Sequence, residues 1–182
     1  MPNHYRQSDI SSITNKNVFF DANILIYLFW PTTSNTNSPA NQYSSVLASL
    51  LQNGFKLFVN PTVVSEAINR ILRIEFENYK IQNGNDAITF KTYRDSNEGR
   101  QAQSDAYAVF NNRILNLFSI KDKCLSKNDI KSFLFVNSLD FNDKIILDIC
   151  KSNNLILLTH DKDYVETDID VISANRAYFT AP

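Results

Sequence analysis

The sequence predicts an α/β fold with a mainly parallel central sheet, carried in a single domain over residues 1–182. Three observations predict it. Short apolar runs (Val18-Phe19-Phe20, Phe55-Lys56-Leu57-Phe58-Val59 and Leu155-Ile156-Leu157-Leu158) alternate with stretches of helical period, the pattern of strands joined by helical crossovers. A length of 182 residues suffices for one ordinary domain with a sizeable core and is short for two. Hydrophobic content of 43% with 20% charged residues is that of a globular chain rather than a disordered one.

Each element follows from local pattern. After a polar lead, Val18-Phe19-Phe20 is a short buried strand that stops at Asp21. Ile24, Leu25, Tyr27 and Leu28 make an apolar helix broken at Pro31, and residues 32–38 a polar loop. Ser38 caps a helix with Pro39 at its first position. Tyr43, Val46, Leu47, Leu50 and Leu51 recur at helical spacing until Gly54 ends the run. Residues 55–59 are the second strand. Asn60-Pro61 repeats the cap-and-proline signature and opens a helix through Val63, Val64, Ala67, Ile68, Ile71 and Leu72, whose stripe fades over residues 75–81. Asn83-Gly84-Asn85-Asp86 and Asp95-Ser96-Asn97-Glu98-Gly99 bracket a weakly patterned stretch. Helical period returns with Ala106, Phe110, Ile114, Leu117 and Phe118, then near Ile130, Phe133, Leu134 and Val136. Residues 140–151 form an amphipathic helix, residues 155–158 the clearest strand, and Val171-Ile172 an edge strand. The stretch from about residue 80 to about residue 136 reads as a helical insertion.

Absences narrow the chemistry. Gly54, Gly84 and Gly99 stand far apart, so neither a dinucleotide-binding glycine turn nor a phosphate-binding P-loop exists. His4 and His160 are too few for a histidine zinc site, and Cys124 and Cys150 for a disulfide framework. There is no G-x-S-x-G elbow. No apolar leader opens the chain, and the longest apolar run, residues 18–30, contains Asp21 and Asn23 and does not span a bilayer. These features predict a soluble, reduced, cytoplasmic protein without a membrane partner. The net charge of −1 provides no global field for polyanions. What is abundant is carboxylate, hydroxyl and amide oxygen, the ligands of hard cations.

Four acids sit where hydrophobic segments stop: Asp21, Glu66 after Val63-Val64, Asp143 before Ile145-Ile146-Leu147, and Asp161 after Leu155-Ile156-Leu157-Leu158. Each has a plainer reading. Asp21 suits a helix N-cap. Glu66 pairs with Arg70 at i+4. Asp140 and Asp143 form a D-x-x-D near-capping box. Asp161 caps a short turn holding Tyr164, while Asp163 and His160 read as surface. Yet a doubly wound sheet brings strand carboxyl ends to one crevice. Four carboxylates there raise one another's pKa unless a divalent cation offsets them.

These residues resemble the PIN-domain ribonucleases, a family that includes the VapC-type toxins of bacterial toxin–antitoxin pairs. The resemblance rests on Phe20-Asp21-Ala22-Asn23, Ser65-Glu66, the D-x-x-I of Asp143 and Ile146, and Leu158-Thr159-His160-Asp161-Lys162-Asp163-Tyr164, and covers residues 17–81 and 138–173. It implies a Rossmann-like parallel sheet flanked by helices, Mg²⁺ or Mn²⁺ held by acids, and hydrolysis of RNA phosphodiester bonds by water. Position by position it implies Asp21, Glu66, Asp143 and Asp161 as catalytic and metal-binding acids, Asp163 as a further ligand, and Asn23, Thr159 and Asp140 in support. Tyr164 stands where phenylalanine is more usual. Implied partners are an RNA substrate and, for a toxin, an antitoxin protein; a homodimer is a further expectation.

RNA must also be held. Residues 70–131 carry eleven Lys/Arg against eight Asp/Glu, a modest excess, and Arg70 and Arg73, beyond Glu66, are the candidates for phosphate contact. Tyr79 and Tyr93 are candidates for base stacking, with packing the plainer reading. The apolar residues of the middle stretch are read either as core or as an interface. Competing functions are a PIN-like module that binds RNA or protein without cutting, a dehalogenase-like phosphatase, which would want an acid at Asn23, and a DNA-directed nuclease.

Overall fold

The computed structural model describes residues 2–30, 39–84 and 86–180. The polar loop at 32–38, the Pro31 break, the Ser38 cap and Asn85 therefore lie outside the described residues. Six parallel strands form one sheet: β1 (His4–Tyr5), β2 (Asn17–Phe20), β3 (Leu57–Val59), β4 (Ser119–Ile120), β5 (Leu155–Leu158) and β6 (Val171–Ile172). Their order is β1-β6-β5-β2-β3-β4. The described helices are α1 (Ala22–Phe29), α2 (Ala40–Gln52), α3 (Pro61–Asn83), α4 (Phe90–Arg94), α5 (Asn97–Val109), α6 (Leu115–Leu117), α7 (Lys127–Phe133) and α8 (Phe141–Ser152). No helix among the described residues is long and apolar enough to cross a membrane.

Strand order explains where a site can form. From β2 the chain moves outward to β3 and β4, then returns to the other side of β2 with β5 and β6. The order reverses between β2 and β5, and at such a switch point the loops leaving the strand carboxyl ends diverge and open a crevice. Val18, Phe19 and Phe20 of β2 and all four residues of β5 are buried, as strands covered on both faces require.

Local chemistry fixes the helices that frame this crevice. Asn60 Oδ1 accepts the Val63 N–H at 2.8 Å and Pro61 occupies the first turn, so α3 starts immediately after β3. It runs 23 residues and stops at Gly84, whose φ of 58° lies in the left-handed region. The fading stripe over residues 75–81 does not end it, because its second half is held by packing. Phe76 is buried against Phe90 and Tyr93, and Trp30 Nε1 donates to Glu75 Oε1 at 2.8 Å.

Several expectations change. The middle stretch is not wholly helical: Ser119-Ile120 is β4, paired with Phe58 and Val59 of β3. Ala106, Phe110, Ile114 and Phe118 are buried in the main core, which answers the alternative of core or interface for them. Tyr79 and Tyr93 pack on each other, with ring centroids 5.1 Å apart. Val171-Ile172 is not the edge, since β1, within the polar lead, pairs outside it. Helix α2 begins at Ala40 with Pro39 as its N-cap.

Candidate active site

The register of β2 against β5 builds the centre of the site. Phe20 is aligned with Leu158, and the ladder extends through the Asp21 N–H to the Leu158 carbonyl at 3.1 Å. Asp21 and Thr159 are thereby set side by side as the two strands end. Thr159 Oγ1 donates to Asp21 Oδ2 at 2.6 Å, and Asn23 Nδ2 donates to the same oxygen at 2.6 Å. The Ala22 N–H donates to Oδ1 at 2.6 Å. Asp21 thus caps α1 and also anchors two polar side chains. A carboxylate offers about four lone-pair sites, so three donors leave one free.

The Thr159 hydroxyl also accepts the Asp161 N–H at 2.9 Å, which carries the network to the third residue past β5. Asp161 Oδ1 then accepts the Asp163 N–H at 3.0 Å, closing a single turn of 3₁₀ helix over Lys162–Tyr164. From the other side, Tyr164 is wholly buried and its hydroxyl donates to Asp143 Oδ1 at 2.7 Å. Asp143 belongs to a reciprocal capping box at the start of α8. Its N–H donates to Asp140 Oδ1 at 2.9 Å, and the Asp140 N–H donates to Asp143 Oδ2 at 3.1 Å. Capping and a site role are therefore compatible at Asp143, because the cap itself aims the carboxylate.

Electrostatics shows how closely the acids are crowded. Burial pushes the Asp21 carboxyl from 3.8 to about 7; the charges of Glu66 and Asp143 add to this, while the Thr159 and Ala22 hydrogen bonds oppose it. Burial also raises Glu66, offset by Arg70 and reinforced by Asp140, Asp143 and Asp161. Asp143 is raised by burial, held back by Tyr164, and raised further by Asp140 and Asp161. Each raised acid thus feels the charge of two or more neighbouring carboxylates, Asp140 and Asp161 among them.

The four acids share one edge and one field, but they are not gathered into a closed cage. Among the described residues, no group of three His, Cys, Asp or Glu side chains is set to hold an ion. Each is drawn to its own partner: Glu66 Oε1 lies 3.4 Å from the Arg70 guanidinium, and Asp143 is tied to Tyr164 and Asp140. The donor chemistry nonetheless fits a hard dication, being carboxylate oxygen throughout, with burial and mutual repulsion leaving negative charge to offset. Asp163 supplies a backbone donor to Asp161, and its charge is felt by the Tyr178 hydroxyl.

The two arginines stand beside this edge. Arg70 and Arg73 line an open cavity of about 380 Å³ together with Asn23, Ile26, Tyr27 and Ile74. They also line a second of about 520 Å³ with Ser65, Glu66, Asn69 and Asn142. The Arg73 guanidinium lies 4.8 Å from the Phe90 ring centroid.

Several framing residues escape a reading of the sequence. The Tyr43 hydroxyl lies 3.2 Å from the Thr159 carbonyl and 2.8 Å from His160 Nδ1, and accepts the Ala174 N–H at 3.1 Å. Asn175 Nδ2 donates to the His160 carbonyl at 2.7 Å, and the Tyr178 hydroxyl donates to the Asp161 carbonyl. His160, read as surface, donates its N–H to Asn23 Oδ1 at 3.3 Å. These contacts pin the turn that carries Thr159 and Asp161. Only the burial of Tyr43 on the stripe of α2 had a sequence signal.

No curated protein and no solved structure gave a significant match to this chain. The model of one family, the PIN domain, matches residues 18–170, a span that includes β4 and the middle helices. With that match over most of its length, and the parallel sheet and acid-lined switch point that accompany it, the chain belongs to the PIN domain family, whose members are generally nucleases.

Proposed function

We propose that the protein is a divalent-metal-dependent ribonuclease that hydrolyses RNA phosphodiester bonds at the β2–β5 switch point. The observation that supports this most is the crowding of carboxylates from separate elements at one sheet edge, where Asp21, Glu66 and Asp143 are each raised by burial and by neighbouring acids. Asp21, Glu66, Asp143 and Asp161, with Asp163 at the margin, would hold Mg²⁺ or Mn²⁺. When bound, the cation supplies charge neutralisation at the phosphodiester and activation of water. The chain's own residues set the geometry. Asn23 and Thr159 orient Asp21, Asp140 and Tyr164 orient Asp143, and Arg70 and Arg73 flank the edge where a phosphate backbone approaches.

The test is cleavage of labelled single-stranded RNA, single-stranded DNA and a phosphate monoester with Mn²⁺, with chelator as control. RNA alone should be cut, and chelator should abolish cutting. Asp143→Asn with full metal-dependent activity would remove that residue from the proposal. Arg70→Ala/Arg73→Ala should weaken RNA binding and flatten its salt dependence; unchanged affinity and slope would remove the arginines. The same reading extends to a toxin neutralised by an antitoxin protein. It predicts that the product of a small neighbouring gene binds the chain and suppresses cleavage. Sedimentation of the isolated chain tests the expected homodimer.

A further inference from the structure

We propose that the cavity over the carboxyl ends of β1 and β6 is a phosphate-binding subsite for the RNA strand, built on Arg6 and Arg176. The proposal rests on the ribonuclease reading and extends it to a second point of contact. The cavity is open, about 550 Å³ in volume, and its walls include Arg6, Arg176, Gln7, Gln42, Ser173 and Phe179. Among the described residues, no carboxylate side chain lines it. Among the described residues neither arginine is in an ion pair. Two unneutralised guanidinium groups with amide and hydroxyl donors form the chemistry of an oxyanion receptor.

The position follows from the topology. Arg6 is the residue after β1 and Ser173 the residue after β6, and the Ser173 N–H donates to the Tyr5 carbonyl at 3.1 Å. Both therefore open onto the edge that carries Asp21 and Asp161. The Arg6 guanidinium lies over the Phe179 ring, 4.4 Å from its centroid. Stacking occupies the face of the guanidinium and leaves its in-plane N–H donors for a ligand. The Tyr43 hydroxyl joins Ala174, in the cavity wall, to Thr159, which holds Asp21. The cavity and the acids are thus braced by one side chain.

Distance and charge select the ligand. Strands lie about 4.8 Å apart, so β6 and β1, two and three places from β2, put the cavity roughly 10–14 Å from Asp21. A phosphate held there belongs to a different nucleotide from the one cleaved. The acidic edge repels a polyanion on a chain of net charge −1, so a strand crossing it needs cations on both flanks. Arg70 and Arg73 stand on the β3 side; Arg6 and Arg176 stand on the other.

The test is binding of a fluorescent single-stranded RNA to the full chain in chelator, where no cleavage occurs. Arg6→Gln/Arg176→Gln should weaken binding roughly tenfold and make the log–log salt slope shallower by about 0.7–1.4, one or two phosphate contacts. Gln42→Glu places a carboxylate in the cavity wall and in the first turn of α2, where an acid favours the helix. It should weaken binding while leaving melting unchanged or higher, so its effect is not misfolding. Both variants should retain wild-type cleavage of a dinucleotide, which is too short to reach the cavity. RNA affinity and salt slope unchanged in both variants would overturn the subsite. So would arginine-dependent binding of inorganic phosphate or a mononucleotide with RNA affinity unaffected, since the cavity would then serve a free phosphate. If the wild-type chain binds RNA through these arginines but cleaves none with Mn²⁺, the subsite stands and the ribonuclease reading falls.

Discussion

Tyr164 Oη and Asp143 Oδ1, 2.7 Å apart, show how one buried atom sets the direction of a site carboxylate. Asp143 is gripped at both oxygens, one by the phenol and the other by the Asp140 N–H. Burial drives the phenol pKa far upward, so the hydroxyl remains a donor at every working pH. Tyr164→Phe keeps the packing, removes the donor and frees Asp143 to rotate. It also removes the hydrogen bond that restrains the upward shift of the carboxyl. If Asp143 is a metal ligand as proposed, activity should fall about 10–100-fold and need more metal, the usual cost of losing a group that orients a ligand. Asp143→Asn should lose more than that. Initial rates across a Mn²⁺ titration check both; wild-type rates and metal dependence in Tyr164→Phe would show the hydroxyl to be idle. Asp21 and Asp161 were legible as site candidates because a carboxylate closing an apolar run is conspicuous in sequence, whereas Thr159 was legible only through the family resemblance. The Tyr164 hydroxyl was not, since its partner lies 21 positions away in another element. Nor was Tyr43, whose spacing reports burial and nothing of where its hydroxyl points.

Elements with long apolar patterns, β2, β5, α3 and α8, were readable because burial of a whole face writes itself into the period. Strands β1 and β4 were not: two residues each, neither fully buried, they are defined by backbone pairing alone, which leaves no period. The α4–α5 corner coincides with the turn cluster of residues 95–99, although Gly99 lies within α5. The reason for glycine there is contact. A Cβ at Gly99 would stand 2.1 Å from the Tyr93 carbonyl oxygen and 2.8 Å from Arg94 Cα, both backbone atoms with no freedom to swing aside. The corner is fixed by Ser96, whose Oγ donates to the Tyr93 carbonyl at 2.7 Å and accepts the Gly99 N–H at 3.2 Å. Glycine to alanine inside a helix ordinarily stabilises by up to about 1 kcal/mol. Here overpacking reverses the sign, and Gly99→Ala should cost about 1–3 kcal/mol. Urea unfolding checks this: a midpoint equal to or above wild type would mean that the two helices part without cost. Because α5 packs on α3, which carries Glu66 and Arg70, the same variant should weaken activity more than its distance from the acids suggests.

Across the whole molecule, the acid edge makes stability depend on pH and, on the proposed metal-binding reading, on cations in a linked way. Asp21 titrates at about 7 in the fold against 3.8 for the free side chain, and Glu66 and Asp143 move in the same direction. A carboxyl with a raised folded pKa keeps its proton in the fold when the unfolded chain has lost it. Between about pH 4 and pH 7 the folded state therefore binds more protons, and stability falls as pH rises. Above about 7 this contribution is gone. Asp129, Asp168 and Asp170 are shifted the other way, Asp129 to about 2. Their contribution is present above the unfolded carboxylate range and is lost only as pH falls through the folded values, so it leaves the interval above about pH 5 untouched. The chelated protein should melt highest near about pH 5 and lower at about pH 8. If the ionised acids hold Mg²⁺ as proposed, the cation should recover melting temperature at about pH 8 and do little near pH 5, where protons compete for the same oxygens. Asp21→Asn should reduce the pH dependence above about pH 5 and shrink the Mg²⁺ response together, because the buried Asp21 charge contributes to both. Thermal melts of the two proteins with Mg²⁺ or chelator at the two pH values decide the matter. Equal melting of the chelated wild type at both values, or a full Mg²⁺ response in Asp21→Asn, would separate the acid edge from metal binding.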